Sequence, residues 1–413
     1  MRRRSVWKRL FGLGRAVVED VWLEDDRALV LSVRPTARER DRCPHCRRRC
    51  PGYDLGEGRR RWRALDLGTT FAYLEAEAPR VECREHGVVV AAVPWARHDS
   101  GFTRSFEDQV AWLAVQTSKT AVAQLQRIAW RTVGWICERV TLEATATRDL
   151  FAGLKRIGVD EISIRKGQRY LTVVVDHDSG RLVWAAPGRD RKTVEEFLDL
   201  LGDQRCHEIK LVSCDMASWI TAPVAERCPN ANICHDPFHV VALATDALDE
   251  IRREVWNEAR RQGQRQLARE LKGARFALWK NPTNLTERQK LKLARVQKLN
   301  QRLYRAYLLA QQLREIYRVP LEHAIVLLDA WLRWARRSRL EPFVKLARTI
   351  TEQRPGIEAA IRHGLSNARI EQANTQLRLI TRRAFGFHSP NAAIALAMLA
   401  LGGLCPPLPG RVT

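Results

Sequence analysis

The chain has 413 residues, 45% of them hydrophobic, with 70 Lys+Arg against 47 Asp+Glu and a formal net charge of +23. That length accommodates several domains, and the hydrophobic fraction is ordinary for a globular protein. An excess of cation this large favours a polyanionic partner, for which the phosphate backbone is the usual candidate, over a merely soluble basic surface.

No stretch of about 18 apolar residues lacks charges, so no membrane span is expected. The basic start Met1–Arg9 is not followed by an apolar segment of signal-peptide kind. The ten cysteines are spaced as a metal site plus scattered buried thiols, as in a reducing cytoplasm.

Residues 16–33 alternate apolar and polar around Glu24-Asp25-Asp26-Arg27, which predicts a β-hairpin. A second strand pair is expected between Arg61 and Arg80. The Cys43-x-x-Cys46 pair precedes it and the Cys83-x-x-His86 pair follows it. Two such chelating half-sites joined by a β-rich segment suit a tetrahedral structural Zn²⁺, with Cys50 and His45 as spare ligands. Unliganded thiols in a small β domain are the alternative.

From Phe102 to Val140 the periodicity turns helical, with Phe106, Val110, Leu113 and Ala114 on one face. A short helix near Ser118–Leu125 and a second one from Trp130 form a helix-turn-helix pattern. Lys119, Thr120, Arg131 and Thr132 are its candidate DNA contacts; a plain helical linker is the alternative.

From Arg156 the chain becomes α/β. Strands are expected at Ile157–Ile162, Tyr170–Asp176, Arg181–Ala185, Ile209–Cys214 and Ala231–Cys234, with helices at Val194–Leu201 and Ala217–Arg227. The order βββαβαβ is that of the ribonuclease-H-like fold. Asp160 is expected to close the first strand and Asp215 the fourth, side by side, while Glu371 follows on a distant helix. Such a carboxylate set suits a pair of Mg²⁺ (or Mn²⁺) ions flanking an in-line attack on a phosphodiester. Taken singly, each Asp could equally be a helix cap. Asp236, in His235-Asp236-Pro237-Phe238-His239, competes for a place near the metals, with His239 and Asn367 as further accessory groups. Arg369 and Asn374, beside Glu371, are candidate DNA-backbone contacts, as are Arg382 and Arg383.

The resulting architecture is multidomain α+β. It comprises a β-rich zinc finger (1–97), a helix-turn-helix region (98–150) and the first part of a ribonuclease-H-like α/β catalytic domain (151–244). An all-helical insertion (245–350), the last catalytic helices (351–403) and a flexible tail (404–413) complete it.

Several blocks, running nearly end to end, resemble the ISL-three family of bacterial insertion-sequence transposases, of the DDE class. They are Cys43-Pro44-His45-Cys46, Gly158-Val159-Asp160-Glu161, Val212-Ser213-Cys214-Asp215-Met216, His235-Asp236-Pro237-Phe238-His239-Val240, Ser338–Phe343, Ser366–Asn374 and Arg382-Arg383-Ala384-Phe385-Gly386. The resemblance implies a DDE triad of Asp160, Asp215 and Glu371 with metal-dependent cleavage and strand transfer at the ends of a mobile element. It implies that the finger and helix-turn-helix bind terminal inverted repeats, and that a dimer or larger assembly forms on double-stranded DNA, terminal and target, in a bacterial cytoplasm at the nucleoid. The second half of the finger departs from the pattern, with Cys-x-x-His where similar proteins often carry Cys-x-x-Cys. A DNA nuclease of the same fold, or a DNA-binding regulator with structural carboxylates, are the alternatives.

Overall fold

The computed structural model describes residues 3–25, 27–165, 169–365, 368–383 and 389–411. The chain divides into two compact units, Met1–Leu150 with Leu379–Thr413, and Phe151–Arg378.

The first unit begins with α1 (Arg3–Leu10), β1 (Ala16–Glu24), β2 (Ala28–Pro35), β3 (Gly52–Asp54), β4 (Arg59–Leu67), β5 (Thr70–Glu77), β6 (Arg80–Cys83) and β7 (Gly87–Val90). Its main sheet has the order β1-β2-β5-β4, and a small sheet β3-β6-β7 carries Cys83 at the end of β6, with Cys43 and Cys46 in the segment before β3. The alternation read in the sequence is the pleat. Val18, Leu31, Trp62 and Leu74 point into one core. Then come α2 (Arg104–Gln116), α3 (Lys119–Gln126) and α4 (Trp130–Thr147). Ser118 caps α3 by accepting from Ala121 N at 3.2 Å, and Arg127, in the left-handed region at φ 52°, ends it.

The second unit holds β8 (Arg156–Arg165), β9 (Arg169–Asp176), β10 (Leu182–Pro187), α5 (Arg191–Leu201), α6 (Asp203–Glu208), β11 (Leu211–Cys214), α7 (Ser218–Arg227) and β12 (Asn232–His235). The strand order is β10-β9-β8-β11-β12, with β8, β9 and β10 antiparallel and β8, β11 and β12 parallel. This is the ribonuclease-H-like arrangement that the element order predicts. Ile157, Val159, Val212 and Cys214 pack with Val194, Phe197 and Val224 of α5 and α7 on one face. The period of two then turns Gly158, Asp160, Ser213 and Asp215 to the other.

A helical stretch follows: α8 (Pro237–Arg261), α9 (Arg265–Gly273), α10 (Arg275–Trp279), α11 (Glu287–Leu299), α12 (Gln301–Glu315), α13 (Leu321–Arg337), α14 (Glu341–Glu352) and α15 (Arg354–His363). It has its own core around Trp331, whose indole donates to Leu309 O at 2.8 Å. The expected boundary at 244/245 falls inside α8. Asp236 and Pro237 start that helix, and nothing interrupts it before Arg261.

The last helices are α16 (Ala368–Arg383) and α17 (Pro390–Leu401). The segment expected as the end of the catalytic domain is therefore divided. The break between units falls within α16, and α17 packs on α2 and α4 of the first unit. The Ala/Leu composition of α17 permits this close approach, and Thr141 Oγ1 donates to Ala395 O at 3.1 Å. At the start of the expected tail Leu404 is buried, and just before it Arg148 Nη1 donates to Gly403 O at 2.6 Å.

Candidate active site

The site is built on the register of two parallel strands. Ser213 of β11 lies opposite Gly158 of β8. Two residues further along each chain stand Asp215 and Asp160, so both carboxylates leave the same sheet face at the same level, about one strand spacing (~4.8 Å) apart. Asp215 lies just past the end of β11. Asp160 does not end its strand as expected: β8 continues to Arg165 because its pairing with β9 outlasts its pairing with β11.

The Asp160 carboxylate is gripped on both oxygens. Glu161 N donates to Oδ1 and Asn374 Nδ2 to Oδ2, each at 2.8 Å. Burial raises its pKa above the ordinary carboxylate value, and the charge of Asp215 adds to the rise. A desolvated carboxylate beside a second one, both presenting hard oxygens, matches the donor chemistry of a divalent cation of the Mg²⁺ type. Asp215 Oδ1 accepts from Ala217 N at 2.9 Å, which orients it at the turn into α7.

The third predicted carboxylate rides on α16. That helix buries Ile370, Ala373, Asn374 and Leu377, an i, i+3, i+4, i+7 stripe. Ile370 occupies the space above Gly158, where a Cβ would come within 2.0 Å of its Cδ1. Arg369 Nη1 donates to Asp178 O at 3.2 Å. Glu371, exposed in the first turn of α16, lies three residues, about one helical turn, before the Asn374 that bonds Asp160. Among the described residues Glu371 makes no direct bond to either aspartate. Asn367 lies outside the described residues.

Around this core, Asp236 is buried and caps α8, accepting from Phe238 N at 3.3 Å. His239, one turn on, places Nε2 3.8 Å from Asp236 Oδ2, and its charge also acts on Asp160. Glu161 faces away on the strand and pairs with Arg189 at 2.9 Å. Sequence reasoning missed the floor of the site. There the buried His177 Nε2 lies 2.7 Å from Ser213 Oγ, and burial pulls the imidazole down to about 4.

Beside the small sheet, Cys43, Cys46, Cys83 and His86 bring their ligand atoms within 4.8 Å of one another. Cys46 Sγ is 3.7 Å from Cys83 Sγ, and His86 Nδ1 is 3.5 Å from Cys83 Sγ and 3.7 Å from Cys43 Sγ. Tetrahedral Zn–S and Zn–N bonds of ~2.3 and ~2.0 Å require ligand separations of roughly 3.5–3.8 Å, so this set fits zinc. His86 also lowers the Cys83 thiol to about 6. His45 stacks on His86, with ring centroids 4.9 Å apart, as a neighbour of the cluster.

The predicted DNA contacts fare unevenly. Thr120 and Arg131 are exposed and Thr132 is half-buried, at the starts of α3 and α4. Lys119 is buried instead, its ammonium 3.6 Å from the centre of the Trp130 ring, so it joins the two helices rather than meeting phosphate. Asn374 is likewise buried and bonded to Asp160. Arg383 is spent on the C-terminal end of α2, donating to Val115 O and Gln116 O at 3.0 and 3.2 Å. Arg382 and Arg369 remain exposed. No helix among the described residues is long and apolar enough to cross a membrane.

A ribonuclease-H-like sheet with aspartates on two adjacent strands, joined in one chain to a Cys/His finger and a helix-turn-helix, defines a DDE-type polynucleotidyl transferase. Comparison with known proteins agrees. Residues 157–397 match the family described as Transposase among ISL3 DDE proteins. Residues 91–141 match the helix-turn-helix domain of transposase family ISL3, and residues 39–86 the zinc-finger of transposase IS204/IS1001/IS1096/IS1165. The chain belongs to the ISL3 family of transposases. It is 53% identical over 436 aligned positions to the transposase for insertion sequence element IS1557 of Mycobacterium tuberculosis, covering 100% of this chain and 98% of that one. It is 28% identical to the transposase for insertion sequence element IS1001 of Bordetella parapertussis, over 91% of this chain and 92% of the relative.

Proposed function

We propose that this transposase binds the terminal inverted repeats of its insertion sequence, cleaves DNA strands there and transfers them to target DNA, using Asp160, Asp215 and Glu371 to hold Mg²⁺ or Mn²⁺. The observation that carries this reading is the register of Ser213 on Gly158, each two residues before Asp215 and Asp160, with the helix bearing Glu371 docked over the same sheet face. When bound, a pair of such ions activates the attacking oxygen and stabilises the leaving one.

The protein's own contribution is placement. The two strands hold the aspartates with little freedom, and the N–H groups of Glu161 and Asn374 keep Asp160 in its ionised orientation. Asp236 and His239 act as accessory groups near the carboxylates, His239 Nε2 lying 3.8 Å from Asp236 Oδ2. The finger, with Zn²⁺ on Cys43, Cys46, Cys83 and His86, and the helix-turn-helix with exposed Thr120 and Arg131 and half-buried Thr132, read the inverted repeats. Arg369 and Arg382 contact the DNA backbone. The helical stretch 245–350 serves as an insertion within the catalytic domain. Bringing two element ends together requires a dimer or larger assembly, working at the bacterial nucleoid.

The test uses purified protein, Mg²⁺ and labelled DNA carrying the inverted repeats that flank its own locus, comparing wild type with Asp215→Ala. Cleavage and joining lost in the variant, with binding kept, is the expected result. Cleavage without joining would make the protein a nuclease. Binding without cleavage in wild type would make it a regulator, and cleavage that survives Asp215→Ala would move the metal site to Asp236.

A further inference from the structure

We infer that Asn374 is a positioning residue for the ion-holding carboxylate Asp160, and that its second amide atom is an acceptor reserved for the ion's hydration shell. The inference rests on the reading of Asp160 and Asp215 as ion ligands.

Asn374 occupies a place where the helix pattern calls for an apolar side chain. Its neighbours on the buried stripe of α16 are Ile370, Ala373 and Leu377, and it is only 4% exposed itself. A buried amide is costly unless its donors and acceptors are met, so an apolar residue would serve packing better. Its orientation is settled by chemistry. An ionised carboxylate only accepts, so the nitrogen must face Asp160, as it does at 2.8 Å from Oδ2. The oxygen is thereby turned the other way, and among the described residues the buried Oδ1 has no hydrogen-bond partner. The stripe offers it no donor, since Ala373 and Leu377 have apolar side chains. Mg²⁺ keeps several of its waters when bound by carboxylates, and water is the donor that completes this acceptor.

The same bond reaches two ligands. Asn374 and Glu371 are one helical turn apart, so fixing the amide on Asp160 fixes the rotation of α16 that presents Glu371. Ile370 over Gly158 sets the distance of the helix from the sheet, and Asn374 sets its phase.

The test is Mn²⁺ binding to the full chain without DNA, followed by electron paramagnetic resonance, for wild type, Asn374→Leu and the control Asp160→Asn. Loss of an outer partner of a metal ligand weakens affinity about 10–100-fold, and that is the shift expected for Asn374→Leu, with thermal melting and zinc content unchanged. Cleavage by the variant is expected to need correspondingly more Mg²⁺ and to recover at saturation, which a general packing defect would not produce. If Asn374→Leu fails to melt cooperatively, Asn374→Ser carries the same test. Affinity within about 2-fold of wild type in the Asn374 variants, alongside lost binding in Asp160→Asn, overturns the inference and leaves the metal site standing. Wild type and Asp160→Asn binding alike would instead remove the metal-site reading on which it rests.

Discussion

Replacing Gly158 by alanine puts a methyl group where α16 meets the sheet. An ideal Cβ there lies 2.0 Å from Ile370 Cδ1, 2.6 Å from Ile370 Cγ1 and 2.9 Å from His177 Nε2. Carbon atoms in contact sit ~3.5–4.0 Å apart, so the isoleucine must withdraw by roughly 1.5–2 Å. It has nowhere near to go: Ile370 is wholly buried, and His177 is held by Ser213 at 2.7 Å. Overpacking of this kind costs about 1–3 kcal/mol. Displacing the helix that carries Asn374 and Glu371 by about 1 Å should slow strand cleavage by on the order of 100-fold. Urea unfolding and single-turnover cleavage of end DNA measure the two effects. Ile370→Ala alone removes buried methyls at about 2–5 kcal/mol, but in the Gly158→Ala background it also relieves the clash. The double-mutant cycle should therefore show a coupling of about 1–2 kcal/mol. Wild-type stability and cleavage in Gly158→Ala, or strictly additive costs, would refute this account of how α16 is seated.

Three further outcomes are expected. Cys46→Ser should lower zinc measured by atomic absorption from about one ion per chain towards none, and chelation of the wild type should unfold the small sheet while leaving the far-ultraviolet signal of the helical stretch. His177 stays neutral in the fold down to about 4 against an ordinary 6.5, chiefly because burial disfavours its charged form. The unfolded chain thus binds the extra proton first, and this group removes up to about 3 kcal/mol of stability as pH falls through that window. A His177→Gln variant should lack that part of the acid slope in unfolding titrations; an unchanged slope would contradict it. In the helix-turn-helix, Arg131→Ala should weaken end binding and reduce the salt slope by about 1, whereas Lys119→Ala should lower the melting temperature and leave the salt slope alone.

The pattern of hydrophobic residues carried most of the architecture. Alternation marked the hairpin β1–β2 and the strands β8 to β10, because each buries one or both faces of a sheet. The spacing of Cys43, Cys46, Cys83 and His86 was legible because zinc coordination is local on both sides. Asp160 and Asp215 were visible as acids at the ends of apolar runs. That Asp160 lies within its strand was not, since strand length depends on which neighbour continues the ladder. Side-chain partners far along the chain were hidden. Lys119 reads as a cation at a helix start until Trp130 folds beside it. Asn374 reads as a polar surface group unless its phase with Ile370, Ala373 and Leu377 is counted, and that count was the available signal. The apolar α17 was read only as one of the last catalytic helices, and nothing in its residues says that α2 and α4 are what it covers.

The most direct test of the central claim, that Asp160, Asp215 and Glu371 share the bound ions, is affinity cleavage with iron. Fe²⁺ substituted into the carboxylate site, with ascorbate and peroxide, produces hydroxyl radicals that cut the polypeptide beside its ligands. The account predicts cuts next to Asp160, Asp215 and Glu371, all suppressed by excess Mg²⁺ and absent in Asp215→Ala. Cuts at Asp160 and Asp215 with none at Glu371, or cuts centred on Asp236 instead, would contradict it.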